Sequence, residues 1–483
     1  MSKSVAQKSK QALAMEPGVL LASALMGGTA AMRLAGQLYL PKFPQETKEM
    51  FDIRLKTATL IPAYQRTVET LSAKPFSKDM TLNEDLDPEV EGWLEDADMQ
   101  GRDFEAFAGS IMEEALSHGL SGILVDFPTA PEIGRPLSIS EERTAGMRPY
   151  LVQIHPGQIL GWKAARNGGQ WIFTQLRFKE VVEEDDPEDE FVEKEIEQVR
   201  VLEIGRWATW RKRYDQNTKT EEWFLHEEGT TTLDFIPFVP VYGKRLGFML
   251  ARPPMIELAH LNVKHWQSQS DQDNILHIAR LPILTRTGMT SVMDSEGNMV
   301  KQDLVIGGGM AVDLPANVTM QFVEHSGAAI SSGQASLDEL KDEMRQAGAE
   351  MLVVQKSSQQ RTRIDANAEA NVGMCHLQRI TNDLEDALEL CLQYMGKYAK
   401  RDIKAKVDLF KDFAVADAAE STASFLLNMS SAGKLSSETL FKEVQRRGMI
   451  SSDVDYEEEK GRIESDGPPP GMEPPGSGAS GAA

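Results

Sequence analysis

Ile53, Thr57, Leu60, Tyr64, Val68 and Leu71 recur at steps of three and four. That spacing predicts a single helical face over 49–73, with Pro62 expected to kink it. A second helix is expected over about 102–118, carrying Phe104, Phe107, Ile111 and Leu116, with Gly119 placed to end it. GILVDFP (122–128) reads as a buried strand. From 149 to 242 the texture changes to short runs rich in Val, Ile, Phe and Trp, among them YLVQIHP, WIFTQLRF, VRVLEIGRWATW, EWFLHE and FIPFVPVY. They predict a mostly antiparallel sheet module. Within it, EEDDPEDEFVEKEIE (183–197) sets ten acids against one lysine. It is expected to be a solvated, mobile connector, since nothing constrains its acids into a metal cage.

The helix expected over 253–279 starts at a Pro-Pro pair and stops before Pro282, yet it is neither apolar nor a plain solvent face: HWQSQSDQDNILHIAR mixes Trp and aliphatics with polar groups. Short strands follow in PILTR, MAVDLP (310–315) and VTMQFVE (318–324), with three glycines at 307–309 that lack any strand–GxGxxG–helix setting. The next helix is expected to begin near Ser336, with Ser336 and Glu339 as a capping box. Its Leu337, Leu340, Met344, Ala347 and Met351 repeat at 3,4,3,4, a packing seam against another helix. The longest helix is expected from about Asp365 to Lys400, and a further helical region over 415–450 is divided by SSAGKLSS (430–437). The Pro/Gly-rich end, 451–483, is expected to be a disordered tail.

With 483 residues there is room for roughly three domains. The 51 basic and 74 acidic residues leave a formal charge of −23, the opposite sign from a simple phosphate-gripping protein, although a surface that lets DNA slide past could be acidic. Cys375 and Cys391 are 16 positions apart on one expected helix, about 24 Å, too far to pair within it. A reducing compartment and buried thiols are expected. The apolar part of the N-terminal segment, Val19–Met26, is eight residues long, too short to span a bilayer, so an assembly or surface helix is expected and no transmembrane segment. HExxH, GxSxG and CxxC do not occur, GKLS at 433–436 lacks the glycine-rich approach of a phosphate loop, and the eight histidines do not cluster along the sequence. No cofactor, metal site or catalytic residue is expected.

Four stretches resemble one group of tailed-bacteriophage portal proteins, the head-to-tail connectors: LPKFPQETKEMFDIRLKTATLIPAYQRTVETLSAKPF (40–76), RPPMIELAHLNVKHWQSQSDQDNILHIARLPIL (252–284), MAVDLPANVTMQFVEHSGAAISSGQASLDELKDEMRQAGAEML (310–352), and the region of TRIDANAEAN (362–371) that runs on through MCHLQRITNDLEDALELCLQYMG. They occur in the family's order and cover most of 40–410. The resemblance implies an α+β portal-protein fold with wing, stem, clip and crown regions, assembled as a ring. Mapped onto this chain it gives an N-terminal arm at 1–39, a wing with an inserted β module at 40–252, and a first stem helix at 253–279. The clip takes 280–326, the second stem helix 327–349, the tunnel loop and long wing helix 350–400, and the crown 401–450.

The resemblance further implies a ring, a dodecamer in most members of the family, at the unique portal vertex of the virion capsid, assembled in the host cytoplasm. Double-stranded DNA would pass through its channel during packaging and ejection, without sequence recognition. A separate terminase would supply the ATPase, and the head–tail adaptor and the major capsid or scaffolding protein would be further partners. In such a ring the first stem helix has one side against its own subunit, one against neighbours and one toward the channel. Leu258, Leu261, His265 and Trp266, with Leu337, Leu340 and Met344, are the candidate stem-packing residues. Gln267, Gln269, Asp271 and Asn274 are expected to meet neighbours or water, and Lys264, Lys356, Arg361 and Arg363 are candidates for approach to DNA phosphates. The competing readings are another virion structural protein such as a head–tail adaptor, which would lack the stem–clip–stem order, and an enzyme with an unrecognised pocket.

Overall fold

Seven consecutive buried residues, Leu120–Asp126, form the strand around which the larger part of the molecule is built. The computed structural model describes residues 5–82, 86–128, 146–186, 189–215, 220–280, 283–287, 292–293, 299–300, 319–323, 328–352, 375–411, 413, 436–446, 450, 454 and 456–466. Two compact units divide the chain. The first takes Met1–Ser72, Asp87–Glu350 and Leu390–Lys404, and the second Ala73–Leu86, Met351–Glu389 and Ala405–Ala483.

In the first unit the helices α1 (Lys10–Met26), α2 (Gly28–Ala35), α3 (Lys48–Thr57), α4 (Ala63–Ser72), α5 (Pro88–Leu94) and α6 (Phe104–His118) precede the central strand. Ser9 caps α1 by accepting the Ala12 N–H at 3.2 Å. Leu21, Ala22 and Leu25 of α1 are buried, and the helix packs on α4 and α6. The helix expected to serve assembly or the surface thus buries Val19, Leu21, Ala22, Ala24 and Leu25, while Leu13 and Leu20 remain exposed. The single kinked helix expected over 49–73 is instead two, α3 and α4. The segment before Pro62 is held out of the helical region, and Pro62 opens α4, its carbonyl accepting the Arg66 N–H at 3.0 Å. α6 begins at the Asp103 cap (2.7 Å to Ala106 N) and fully buries Phe107, Ile111, Met112 and Leu116. It ends at Gly119, whose φ of 86° is the left-handed conformation that suits glycine. A Cβ there would lie 2.1 Å from the Arg252 carbonyl carbon, so no side chain fits.

The central strand β1 (Leu120–Asp126) lies antiparallel between β2 (Tyr150–Ile154) and β8 (Phe238–Tyr242). Between these two in sequence, β3 (Ile159–Asn167), β4 (Gln170–Asp186), β5 (Asp189–Glu203), β6 (Arg206–Asp215) and β7 (Thr220–Thr230) form a five-stranded antiparallel meander in chain order. Leu124, Ile154, Ile159, Leu176, Phe178 and Phe238 share one core between the two sheets. The acid-rich run at 183–197 differs from its expectation: its described residues are strand, the outer parts of β4 and β5. Val182 pairs with Ile196 and supplies apolar contact. The like-charged pairs Glu183–Glu195, Asp185–Glu193 and Asp186–Asp189 are offset by cations nearby: Arg211 holds Glu184 at 2.7 Å, Lys194 holds Asp186 at 2.8 Å and Lys212 holds Glu197 at 3.1 Å.

β9 (Lys244–Gly247) and β10 (Leu250–Arg252) make a short hairpin before α7 (Ile256–Ala279). β11 (Ile283–Thr287), β12 (Thr319–Val323) and α8 (Ala328–Ala349) follow. α8 starts eight residues before Ser336, so Ser336 lies inside the helix and is not its cap. The last helix contributing to this unit is α9 (His376–Tyr398), whose Tyr394 and Tyr398 rings lie 4.5 Å from Phe235 and 5.6 Å from Phe127.

In the second unit, Thr81–Leu82 pairs antiparallel with Val407–Asp408. Glu385, on the first part of α9, accepts the Leu409 N–H at 2.7 Å and the Lys411 ammonium at 2.9 Å. Two further helices, α10 (Ser437–Arg446) and α11 (Tyr456–Asp466), meet through Phe441 and Tyr456 at 5.4 Å. α11 falls inside the segment expected to be a disordered tail. Cys375 and Cys391 are both free and buried. The expected strand at 310–315, the glycines 307–309 and the residues 365–374 expected to start the longest helix lie outside the described residues.

Candidate functional site

The candidate site is the pair α7 and α8 with the strands between them. At 24 and 22 residues, the helices are about 36 and 33 Å long at 1.5 Å per residue. β11 and β12 pair antiparallel from Ile283–Val323 to Thr287–Thr319. The helices are antiparallel as well. Gln272 of α7 meets Ile330 and Gly333 near the start of α8, while His265, earlier on α7, feels the charges of Asp338 and Lys341 further along α8. The result is a helix–strand–strand–helix hairpin.

Of the candidate packing residues, Leu337, Leu340 and Met344 on α8 are exposed by 1–3%, and Leu258 and Trp266 on α7 by 1% and 0%. Leu261 is half-buried. Gly333 permits close approach: a Cβ there would lie 2.1 Å from Gln272 Oε1, where the Gln272 amide donates to the Ile330 carbonyl at 2.9 Å.

The polar residues that gave α7 its mixed character have separate tasks. Asn262, fully buried, accepts the Tyr64 N–H and donates to the Ile61 carbonyl, both at 2.9 Å, closing the backbone break between α3 and α4. Gln267 donates to the Tyr39 carbonyl at 2.9 Å, and Gln269 pairs with Asp273 at 2.8 Å. Asp271 is half-buried, and burial raises its carboxyl pKa against the opposing pull of Arg54. Asn274 is half-buried. Arg54 of α3 is 5% exposed and grips Glu46 through two hydrogen bonds of 2.8 and 2.9 Å. It also donates to the Pro41 carbonyl at 2.7 Å, lies under Phe43 at 4.2 Å, and reaches Ser270 at 3.5 Å and Asp271 at 3.8 Å. The Arg54 hydrogen bonds hold the Glu46 carboxyl below the usual carboxylate range.

His265 and Trp266 stand apart. Both are fully buried, and neither His265 ring nitrogen nor Trp266 Nε1 has a hydrogen-bond partner among the described residues. Burial, with Lys341 adding to it, lowers the His265 pKa against the opposing pull of Asp338, which favours the neutral ring. The outward side of α7 shows Glu257, His260 and Lys264, and Lys264 makes no ion pair among the described residues. Along α8, Lys341 pairs with Asp338 at 2.9 Å and Arg345 with Asp342 at 2.6 Å. Lys356, Arg361 and Arg363 lie outside the described residues.

A second cluster sits where α1, α6, β1 and β2 meet. His118 contacts Ser117 Oγ at 2.8 Å and Ser23 Oγ at 3.0 Å, and its ring stands edge-on to His155 at 4.5 Å. Burial, aided by His155, pushes the His118 imidazole down to about 3. Burial raises Glu114, which accepts a hydrogen bond from Ser121, to about 7. Glu114 and His155 also line an open cleft of about 360 Å³ with Asp98, Arg102 and Gln153. Spacing along the chain could not bring these groups together, because α6, β1 and β2 do so only on folding. Among the described residues no group of three or more His, Cys, Asp or Glu is placed to hold a metal ion, and no helix is long and apolar enough to cross a membrane.

Comparison with known proteins gives three findings. The profile of a domain of unknown function (DUF4055) matches residues 254–399, which takes in α7, both strands, α8 and α9. No curated protein matches. Among solved structures, the chain is similar to a chain of the virion of a native gene transfer agent particle at 10% identity and a TM-score of 0.38, over 86% of this chain and 97% of that one. It is also similar to chains of the neck of the native particle computed with C12 symmetry (10%, 0.38, 86% and 99%) and of the neck of the empty particle computed with C6 symmetry (10%, 0.39, 80% and 90%). Likeness at this level is too distant to assign a function.

Proposed function

We propose that the chain is the subunit of a virion portal ring, a conduit for double-stranded DNA. The observation that supports this most is the antiparallel α7–α8 pair carrying the β11–β12 ribbon at one end, the stem–clip–stem order that the portal resemblance implies. α7 is fixed to the body along its length by Asn262, Gln267 and the Arg54 cluster. That rigid base is what a helix pair needs if the ribbon at its far end is to dock a terminase or a tail adaptor.

The charge is compatible with passage of DNA. Twelve copies at −23 carry a formal −276, so an acidic wall would repel phosphates and keep them from adhering. Exposed Lys264 would supply at most a weak, exchangeable contact with the backbone. Packaging energy would come from a separate ATPase, with the ring acting as conduit and mechanical partner. The test is mass in solution. A closed assembly of twelve 53.6-kDa chains sediments at about 640 kDa, whereas a monomer or dimer across a range of salt concentrations overturns the proposal.

A further inference from the structure

The meander is uneven. β3 pairs with β4 only as far as Phe178, and β6 pairs with β5 only from Gln198 to Glu203. Beyond Val181 and Glu197, β4 and β5 continue as a two-stranded ribbon with no third strand among the described residues. A lone two-stranded ribbon is marginally stable in water and gains from a surface to lie on. This one displays Phe191 at 88% exposure, with Val181 at 57% and Val192 at 45%. The surrounding run 183–197 carries ten acids and one lysine, a formal −9.

An opposite surface exists on the same unit. α2 and the turn after it expose Leu34 at 91% and Leu38 at 66%. On α3, Met50 at 54% and Ile53 at 64% are three residues apart on one helical stripe. α2 and α3 are neighbours: Arg33 donates to the Ala58 carbonyl at 2.9 Å, and Leu55 lies against Gly36. Segment 33–57 has five basic residues against three acids, a formal +2 in a chain whose total is −23. Its Lys48 and Lys56 are exposed and make no ion pair among the described residues. Large apolar side chains grouped in the open mark a contact surface.

We infer that the β4–β5 ribbon of one copy, led by Phe191 and Val192, docks on the exposed α2–α3 face of the next copy. The apolar groups meet Leu34, Leu38, Met50 and Ile53, while the ribbon's acids face Lys48 and Lys56. The two surfaces differ, so the contact is head-to-tail, the type that closes into a ring when the rotation fits. The inference rests on the ring proposed above and assigns one of its subunit contacts.

The test uses the full chain in two forms, Val192→Cys and Ile53→Cys, mixed and treated with a short bismaleimide. Both native thiols are buried and so protected. Cross-linked dimers are expected only in the mixture, and a ladder of higher species from the double variant. Because its side chains are exposed, Phe191→Ser/Val192→Ser should fold normally yet need about tenfold more protein to assemble. Lys48→Glu/Lys56→Glu should weaken assembly too, and Glu193→Lys/Glu195→Lys in the partner should restore it. If assemblies form but the mixture yields no cross-link, or the serine variant assembles unchanged, the inference is overturned and the ring stands. If no assembly forms under any condition, the ring proposal fails and takes this contact with it.

Discussion

Arg54→Met removes a buried cation that ties α3 to α7. The wild-type guanidinium makes two hydrogen bonds to Glu46 and one to the Pro41 carbonyl, all between 2.7 and 2.9 Å. Methionine keeps the aliphatic stem against Phe43 and Phe51 but leaves Glu46, 5% exposed, with only the Phe43 N–H at 3.1 Å. Stranding one member of a buried ion pair costs about 3–5 kcal/mol. Glu46→Gln/Arg54→Met leaves no buried charge and should recover about 2 kcal/mol of that loss. All seven tryptophans fall within the bounds of the first unit, so urea unfolding followed by tryptophan fluorescence reports on this unit alone.

The pH dependence gives an independent check. Glu46 titrates below the usual carboxylate range in the folded protein. Its contribution is therefore present above the unfolded carboxyl pKa and lost as pH falls through the folded one. In Arg54→Met the unpaired carboxyl is instead easier to protonate folded than unfolded, so the deficit of the variant shrinks on acidification toward pH 4. A cost below about 1 kcal/mol, or a double variant as unstable as the sum of the singles, would refute the assignment of Arg54 and Glu46 as a coupled buried pair.

Gly119→Ala should cost at least about 3 kcal/mol, because the left-handed φ and a Cβ 2.1 Å from backbone leave nothing that can move aside; an unchanged melting temperature would contradict this. His118→Gln tests the buried neutral imidazole. With a folded pKa lowered to about 3, His118 contributes stability that falls as pH drops from about 6.5 toward 3. The stability difference between wild type and variant should therefore shrink over that range in urea titrations, and a constant difference from pH 7.5 to 4.5 would argue against it. Glu114, raised to about 7, acts in the opposite sense between about 4.5 and 7 in both proteins and cancels in the comparison. Trp266→Phe should cost less than about 1.5 kcal/mol because the indole N–H has no partner to lose, whereas Trp266→Ala should cost about 3–5 kcal/mol. Equal losses would indicate an unrecognised partner for Nε1.

Local patterns were legible where one physical signal dominated. The α6 periodicity, its stop at Gly119 and the alternating strands of the meander follow from burial against one sheet and from glycine's access to positive φ. Leu337, Leu340 and Met344 are buried, as a 3,4 repeat that shields one helical stripe requires. The misses have equally physical causes. Ser336 and Glu339 satisfy a capping pattern, but α8 begins earlier, at Ala328, and its early glycine, Gly333, lets Gln272 come close. The acidic run became strand because Arg211 and Lys212, on a neighbouring strand, and Lys194 within the run offset its charges, two of them partners beyond local reach. Arg54, Asn262 and the His118 cluster could not be found from spacing at all, since their partners lie up to 216 positions away.

The most direct test is cryo-electron microscopy of the purified assembly, with the rotational symmetry counted and α7 located relative to the axis. A closed ring is predicted, twelvefold, with α7 along an axial channel wide enough for a DNA duplex and the β11–β12 ribbon at one end. A ring whose channel cannot admit a duplex, or one with α7 on its outer rim, would contradict the conduit.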